Sequence, residues 1–194
     1  MPVARDAGAA RPVTLDEVFR AVLATPSDIR EYLPVLWREA AGRPGCRVLE
    51  LGVRQGNSTV AFLAGAQACG GRVWSCDLAV TVPQAWQDCP WWTFVPGDDT
   101  DPAVQARLPA QCDVLFVDTS HEYEHTLAEL RAYMPRVAPG GVALFHDTHV
   151  IGWPGYEWDR DVPPVWAALD EYCAEAGLQW ADLPGRYGLG VIRP

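Results

Sequence analysis

Residues 46–58 read Cys-Arg-Val-Leu-Glu-Leu-Gly-Val-Arg-Gln-Gly-Asn-Ser. A short apolar run, an acidic residue, two spaced glycines and a polar pair able to open a helix follow one another, the order of a strand, a tight turn and a helix start. Gly52 and Gly56 let backbone approach a ligand where a side chain would collide, and a helix opening at Asn57 points free N–H groups outward. The stretch is therefore expected to be the first strand and ligand loop of an α/β domain.

Downstream, short apolar runs alternate with helical patterns. Strands are expected over Arg72 to Cys76, Trp92 to Val95, Asp113 to Val117 and Val142 to Phe145, and each is followed by acids: Asp77, Asp98 with Asp99, Asp118, and Asp147 after His146. Helices are expected over Asn57 to Ala68, Pro83 to Asp88, Pro102 to Leu108, a segment capped by Ser120 that aligns Leu127, Leu130, Met134 and Val137, and Pro163 to Ala176. Leu178 to Asp182 and Tyr187 to Ile192, around Pro184-Gly185, read as a closing antiparallel hairpin. Upstream, residues 1–12 read as a loose tail. Thr14 with Glu17 forms a capping-box pattern ahead of Val18, Val22 and Leu23. Ser27 to Ala41 is expected to be helical with a kink at Pro34. These two helices are expected to cover the ligand or to form an oligomer contact, with a homodimer kept open.

The fold expected is α/β: a Rossmann-like, seven-stranded, mostly parallel sheet with helices on both faces and a C-terminal antiparallel hairpin. Such sheets take ligands beyond the carboxyl ends of their strands, where Glu50, Asp77, Asp98, Asp118 and Asp147 fall.

With 49% hydrophobic and 21% charged residues the 194-residue chain is globular, and its length suits one sizeable core. A net charge of −10, with every basic residue an arginine and none clustered, argues against a nucleic-acid partner and leaves a small molecule as the expected one. The six cysteines form no C-x-x-C pair, which suits free thiols in a reducing cytoplasm. No run reaches the ~18 apolar residues of a membrane span, and the N-terminus lacks the apolar core of a signal peptide.

From residue 46 to about 192 the chain resembles class I S-adenosylmethionine-dependent methyltransferases. Within them it is most similar to the small bacterial branch of macrocin-type sugar O-methyltransferases and cephalosporin hydroxylase-like proteins. Glu50-Leu51-Gly52-Val53-Arg54-Gln55-Gly56-Asn57-Ser58 is similar to that family's first motif. The resemblance divides the chain into residues 1–42, a tail and helices covering the site, and residues 43–194, a class I methyltransferase domain. It implies S-adenosylmethionine as cofactor, with Glu50, Gly52, Gly56, Asn57, Ser58 and Asp118 around it. Asp77 then meets the ribose hydroxyls, and Asp98 with Asp99 beside it meets the adenine amine. A dinucleotide fold would show G-x-G-x-x-G, which is absent here.

In metal-dependent relatives acids after the fourth and fifth strands hold magnesium, and the matching positions are Asp118, His146 and Asp147. Imidazole suits a transition metal better than magnesium, so both metals stay open. The other reading of the same residues is that His146 or His121 acts directly as the base, with Asp147 beside it. The activity implied is O-methylation of a small secondary metabolite or sugar; N- or C-methylation and a non-catalytic cofactor-binding protein are the alternatives. His121-Glu-Tyr-Glu-His125 also matches the zinc-peptidase pattern H-E-x-x-H, which requires both histidines on one helical face. Finally, Trp153, Tyr156 and Trp158, with Asp159, Arg160 and Asp161, either stack on the acceptor or pack beneath their own loop.

Overall fold

In the computed structural model, which describes residues 14–79, 81–152 and 155–194, the stretch 46–58 forms a strand, a turn and a helix start. The strand is β1 (Arg47–Leu51) and the helix is α3 (Asn57–Cys69); ahead of them lie α1 (Leu15–Ala24) and α2 (Leu33–Ala41). After α3 come β2 (Arg72–Asp77), α4 (Gln84–Gln87), β3 (Trp92–Pro96), α5 (Pro102–Gln105) and β4 (Cys112–Val117). Then follow α6 (Tyr123–Tyr133), a 3-10 turn (Met134–Arg136), β5 (Val137–His146), α7 (Pro164–Ala176), β6 (Trp180–Leu183) and β7 (Leu189–Ile192). The sheet order is β3-β2-β1-β4-β5-β7-β6. The first five strands pair in parallel, and β7 runs antiparallel to both β5 and β6. This is the Rossmann-like methyltransferase arrangement, with the order reversing between β1 and β4.

Alternation along the central strands builds a core on each face. Val114 and Phe116 of β4 join Val48, Leu144, Phe62, Leu63, Leu33 and Leu36 beneath α2 and α3. Leu115 and Val117 join Leu49, Leu51, Phe145, Leu130, Tyr133 and Leu169 beneath α6 and α7. Because both faces are covered, these strands read as unbroken apolar runs. Register at the far end of the sheet is fixed by Asp113, whose Oδ2 accepts from Arg47 N at 2.8 Å and Nε at 3.1 Å.

Several boundaries differ from the expectations, for local reasons. Pro34 does not kink a longer helix: α2 begins at Leu33 and places Pro34 in its first turn, where the missing N–H costs nothing. Ser120 is not the cap of α6. That helix starts at Tyr123 after Glu122, because His121 takes a left-handed backbone with φ +60 that no helix continues. The expected helix over Pro102 to Leu108 closes after one turn, at Gln105. Val137 opens β5 rather than ending α6. The tail and Trp153 lie outside the described residues. Among the described residues no helix is long and apolar enough to cross a membrane.

Candidate functional site

The turn after β1 is built by Gly52 at φ +88 and Gly56 at φ +79, with Arg54 at φ +47 between them. Gly52 N donates to Cys76 O at 2.9 Å and Asp118 N donates to Leu51 O at 2.8 Å, which draws the ends of β1, β2 and β4 together. Asp77 holds the loop in place: its Oδ2 accepts from Val53 N at 2.7 Å and Arg54 N at 2.9 Å. Gly56 caps α3 without a side chain, so the first N–H groups of that helix are free of a side-chain acceptor. They open on a cavity of about 300 Å³ lined by Pro26, Ser27, Asp28, Ile29, Val53, Arg54, Gln55, Asn57, Ser58, Asp118 and Tyr187. An uncapped helix N-terminus beside a carboxylate-bearing strand end fits a zwitterionic ligand with hydroxyls. A second cavity, of about 330 Å³, shares Pro26, Ser27, Asp28 and Tyr187 with the first and adds Arg30, Glu31 and Arg186.

Glu50 sits beneath this loop. It is fully buried, with Oε1 accepting from Ser58 Oγ at 2.7 Å and Oε2 from Thr59 Oγ1 at 2.8 Å and Ser75 Oγ at 2.5 Å. Burial pushes its carboxyl up to about 7, the three hydroxyls offsetting part of the rise. Glu50 and the Ser58 hydroxyl therefore face each other under the turn, and only the Ser58 backbone is left to face the cavity. Thr59 and Ser75 carried no signal in the sequence, because they meet Glu50 from other elements.

Beyond β4 and β5 two carboxylates and two imidazoles converge. His121 Nε2 lies 2.9 Å from Asp118 Oδ1 and 3.1 Å from Asp147 Oδ2, and His146 Nδ1 lies 3.3 Å from each of the same oxygens. Burial alone would depress the His146 imidazole, but hydrogen bonds and charge from Asp118 and Asp147 outweigh it and raise the group to about 10. Burial works to raise the Asp118 carboxyl, and the two imidazoles overcome it and hold the acid well below the usual carboxylate range. Asp147 turns back toward the group through a left-handed backbone, φ +61, which Asp tolerates better than most residues.

The atoms able to ligate one cation here are those of Asp118, His121 and Asp147, all within 4.8 Å of one another. His146, expected as the third ligand, is 1% exposed; its Nδ1 meets the same two carboxylate oxygens at 3.3 Å, and its ring stands edge-on to Tyr32 at 5.7 Å. Asp147 Oδ1 is buried without a hydrogen-bond partner. Such an orphan carboxylate oxygen beside an imidazole fits a divalent cation. His121 was expected only as a base; its left-handed turn, which the sequence does not announce, delivers it to the ligand set.

The zinc-peptidase pattern does not form. His121 precedes α6 while His125 lies within it, and the two face different acids. His125 Nε2 is 3.1 Å from Asp99 Oδ1 and 3.6 Å from Glu129 Oε1. Asp99 thus turns inward against His125 of α6. Asp98 is exposed, and its Oδ1 accepts from Thr100 N at 2.8 Å and Oγ1 at 2.6 Å.

The loop after β5 docks on the start of α6. Tyr156 and Trp158 stack at 6.0 Å, Trp158 lies 5.4 Å from Tyr123, and Arg160 sits 4.9 Å above the Tyr123 ring. Tyr156 Oη accepts from Tyr123 N and donates to Glu124, both at 3.1 Å. These aromatic faces pack on one another and border neither cavity, while Asp159 and Asp161 are exposed. At its start the loop is held to the β6–β7 hairpin through Asp182, which accepts from Thr148 Oγ1 at 2.8 Å and pairs with His149 Nε2 at 2.8 Å.

A family model described as a methyltransferase domain matches residues 49–148. Demethylmacrocin O-methyltransferase of Streptomyces fradiae is 36% identical over 72 residues, covering 36% of this chain and 18% of that protein. The matched stretch thus spans less than a fifth of the curated relative. Among solved structures, the MycE methyltransferase of the mycinamycin pathway in complex with Mg, SAH and mycinamycin VI superposes with a TM-score of 0.68 at 20% identity. It covers 95% of this chain and 55% of that one. CalS11, a TDP-rhamnose 3'-O-methyltransferase, superposes with a TM-score of 0.64 at 20% identity over 95% of this chain and 88% of that one. At these identities the superpositions show the shared fold.

Proposed function

Because the chain belongs to the methyltransferase domain family, we propose that it is an S-adenosylmethionine-dependent methyltransferase that acts on a hydroxyl of a small secondary metabolite or sugar, assisted by a divalent cation. The observation that carries this reading is the position of Asp118. It lines the cavity of Asn57 and Ser58, and it belongs to the cluster of His121, His146 and Asp147. Donor site and acceptor-activating group therefore meet at one residue.

The N–H groups of Asn57 and Ser58 receive the methionine carboxylate, Asp77 receives the ribose hydroxyls and Asp98 the adenine amine. Gly52 and Gly56 keep the loop free of side chains, and Glu50 braces it from below. Asp118, His121 and Asp147 hold the cation, and His146 is a positioning residue that fixes both carboxylates through Nδ1. When bound, S-adenosylmethionine supplies an electrophilic methyl group and the cation polarises the acceptor hydroxyl. The cluster of two carboxylates and two imidazoles takes up the proton that the hydroxyl loses. Segment Pro26 to Ile29 covers the donor, so the helices of residues 14–42 act as the cover and residues 43–194 as the catalytic domain. The acceptor occupies the adjoining cavity beside Tyr187, Arg30 and Arg186. The names of the relatives, demethylmacrocin O-methyltransferase and TDP-rhamnose 3'-O-methyltransferase, support a glycosidic acceptor.

Titrating S-adenosylhomocysteine into the protein, then screening sugar, phenol and amine acceptors with labelled S-adenosylmethionine, tests the reading. Saturable cofactor binding with label on a hydroxyl is expected. Absence of cofactor binding by folded protein, or label confined to amines, overturns it.

A further inference from the structure

The residues around His125 form a second cluster, which shares Asp98 alone with the donor site proposed above. Asp99 and Glu129 both face this one imidazole nitrogen, which has a single proton or lone pair to offer. The Asp99 side chain is 8% exposed, and its Oδ1 makes no hydrogen bond although it lies 3.1 Å from His125 Nε2. Glu129 is fully buried; Thr119 Oγ1 donates to its Oε1 at 2.7 Å, and its Oε2 has no partner. Two carboxylates nine-tenths or more buried thus crowd one imidazole nitrogen, and one of their oxygens, Glu129 Oε2, is left without a partner.

Charge points the same way. Asp98 and Asp99 set two carboxylates against one imidazole, with Glu129, whose carboxyl is pushed up to about 7 by burial, behind them, and among the described residues no arginine pairs with any of the three. A protonated His125 offsets one of those charges, and a divalent cation offsets two.

We propose that Asp98, Asp99 and His125, whose ligand atoms lie within 4.8 Å of one another, form a second, structural site for a zinc-class divalent cation, backed by Glu129. The cation takes the place of the His125 Nε2 proton, which leaves to solvent. Two oxygens and one imidazole nitrogen suit zinc better than magnesium, which prefers an all-oxygen shell. Asp98 is exposed and His125 partly so, which gives the ion an entry path; Asp99 and Glu129 close the site from inside. The cation ties the loop after β3 to α6. It also gives the two histidines of His121-Glu-Tyr-Glu-His125 separate ions, one to each.

The site is tested with Zn²⁺ alone, without cofactor, since the adenine contact proposed for Asp98 would compete for its free oxygen. Chelator-stripped Asp147→Asn protein, in which the other cluster is weakened, is titrated by calorimetry, and bound metal is counted by elemental analysis. One Zn²⁺ per chain is expected, with affinity falling about a hundredfold or more on adding His125→Ala or Asp98→Asn, and no comparable uptake of Mg²⁺. Asparagine at 98 can keep both Thr100 hydrogen bonds, so that variant decides the matter where His125→Ala fails to fold. No Zn²⁺ uptake by Asp147→Asn protein, or uptake unchanged by Asp98→Asn, overturns the proposal. Neither result bears on whether the chain methylates a hydroxyl.

Discussion

Gly52 passes so close to Asp118 that a Cβ placed on it would stand 2.0 Å from the Asp118 carbonyl oxygen. The partner is backbone of β4's exit, which cannot swing aside. Gly52→Ala, already strained at φ +88, should cost at least about 2 kcal/mol and abolish cofactor binding. Gly70→Ala is the control: its φ is +70, but nothing lies within 4 Å of the added carbon. Equal melting temperatures for the two variants would show that the approach to Asp118 carries no energy.

Asp77 should matter twice, by shaping the loop and by meeting the cofactor. Asp77→Asn keeps an acceptor for Val53 and Arg54 N–H but loses the charge behind both hydrogen bonds. S-adenosylhomocysteine affinity should fall about tenfold or more, or ~1.4 kcal/mol. Calorimetric titration reads this directly, and unchanged affinity would remove Asp77 from the donor site.

The buried Glu50 carboxyl makes stability depend on pH in an uncommon direction. Its folded value of about 7 lies above the ordinary 4.5, so between these the folded chain holds a proton that the unfolded chain has released. Stability should therefore fall by a few kcal/mol, relative to Glu50→Gln, as pH rises from about 4.5 to 7, and level off above. Urea unfolding of both proteins across that range checks the sign. Wild-type stability that instead rises with pH relative to Glu50→Gln would mean that the three hydroxyls outweigh burial.

Asp147→Asn tests the acceptor-activating cluster apart from the donor site. Methyl transfer should drop about 10²- to 10⁴-fold, while S-adenosylhomocysteine affinity stays within about threefold. Single-turnover rates and calorimetry on the same preparation separate the two. Parallel loss of both would place Asp147 in the donor site.

Much of this architecture was legible because β1, β4 and β5 are buried on both faces and so read as bare apolar runs closed by acids. Helix bodies were legible from their spacing. Their starts were less so: His121 at φ +60 delays α6, and no residue type there demands that turn. The same turn brings His121 to Asp118 and Asp147, the carboxylates that His146 also meets. Glu50 was visible as the acid of a motif, yet its partners Thr59 and Ser75 belong to α3 and β2, and a pairing made only when the sheet closes leaves no local trace. Asp99 stood beside Asp98 in sequence; the backbone sends one outward and the other against α6.

The wall formed by Pro26, Ser27, Asp28 and Tyr187 borders both cavities. If the first cavity takes the donor and the second the acceptor, as proposed, that shared wall is a constraint for an engineer: a substitution there would trade acceptor range against donor affinity. Arg30, Glu31 and Arg186 border the second cavity alone. On that assignment, acceptor preference can be altered at those three positions while the donor half of the site is left intact.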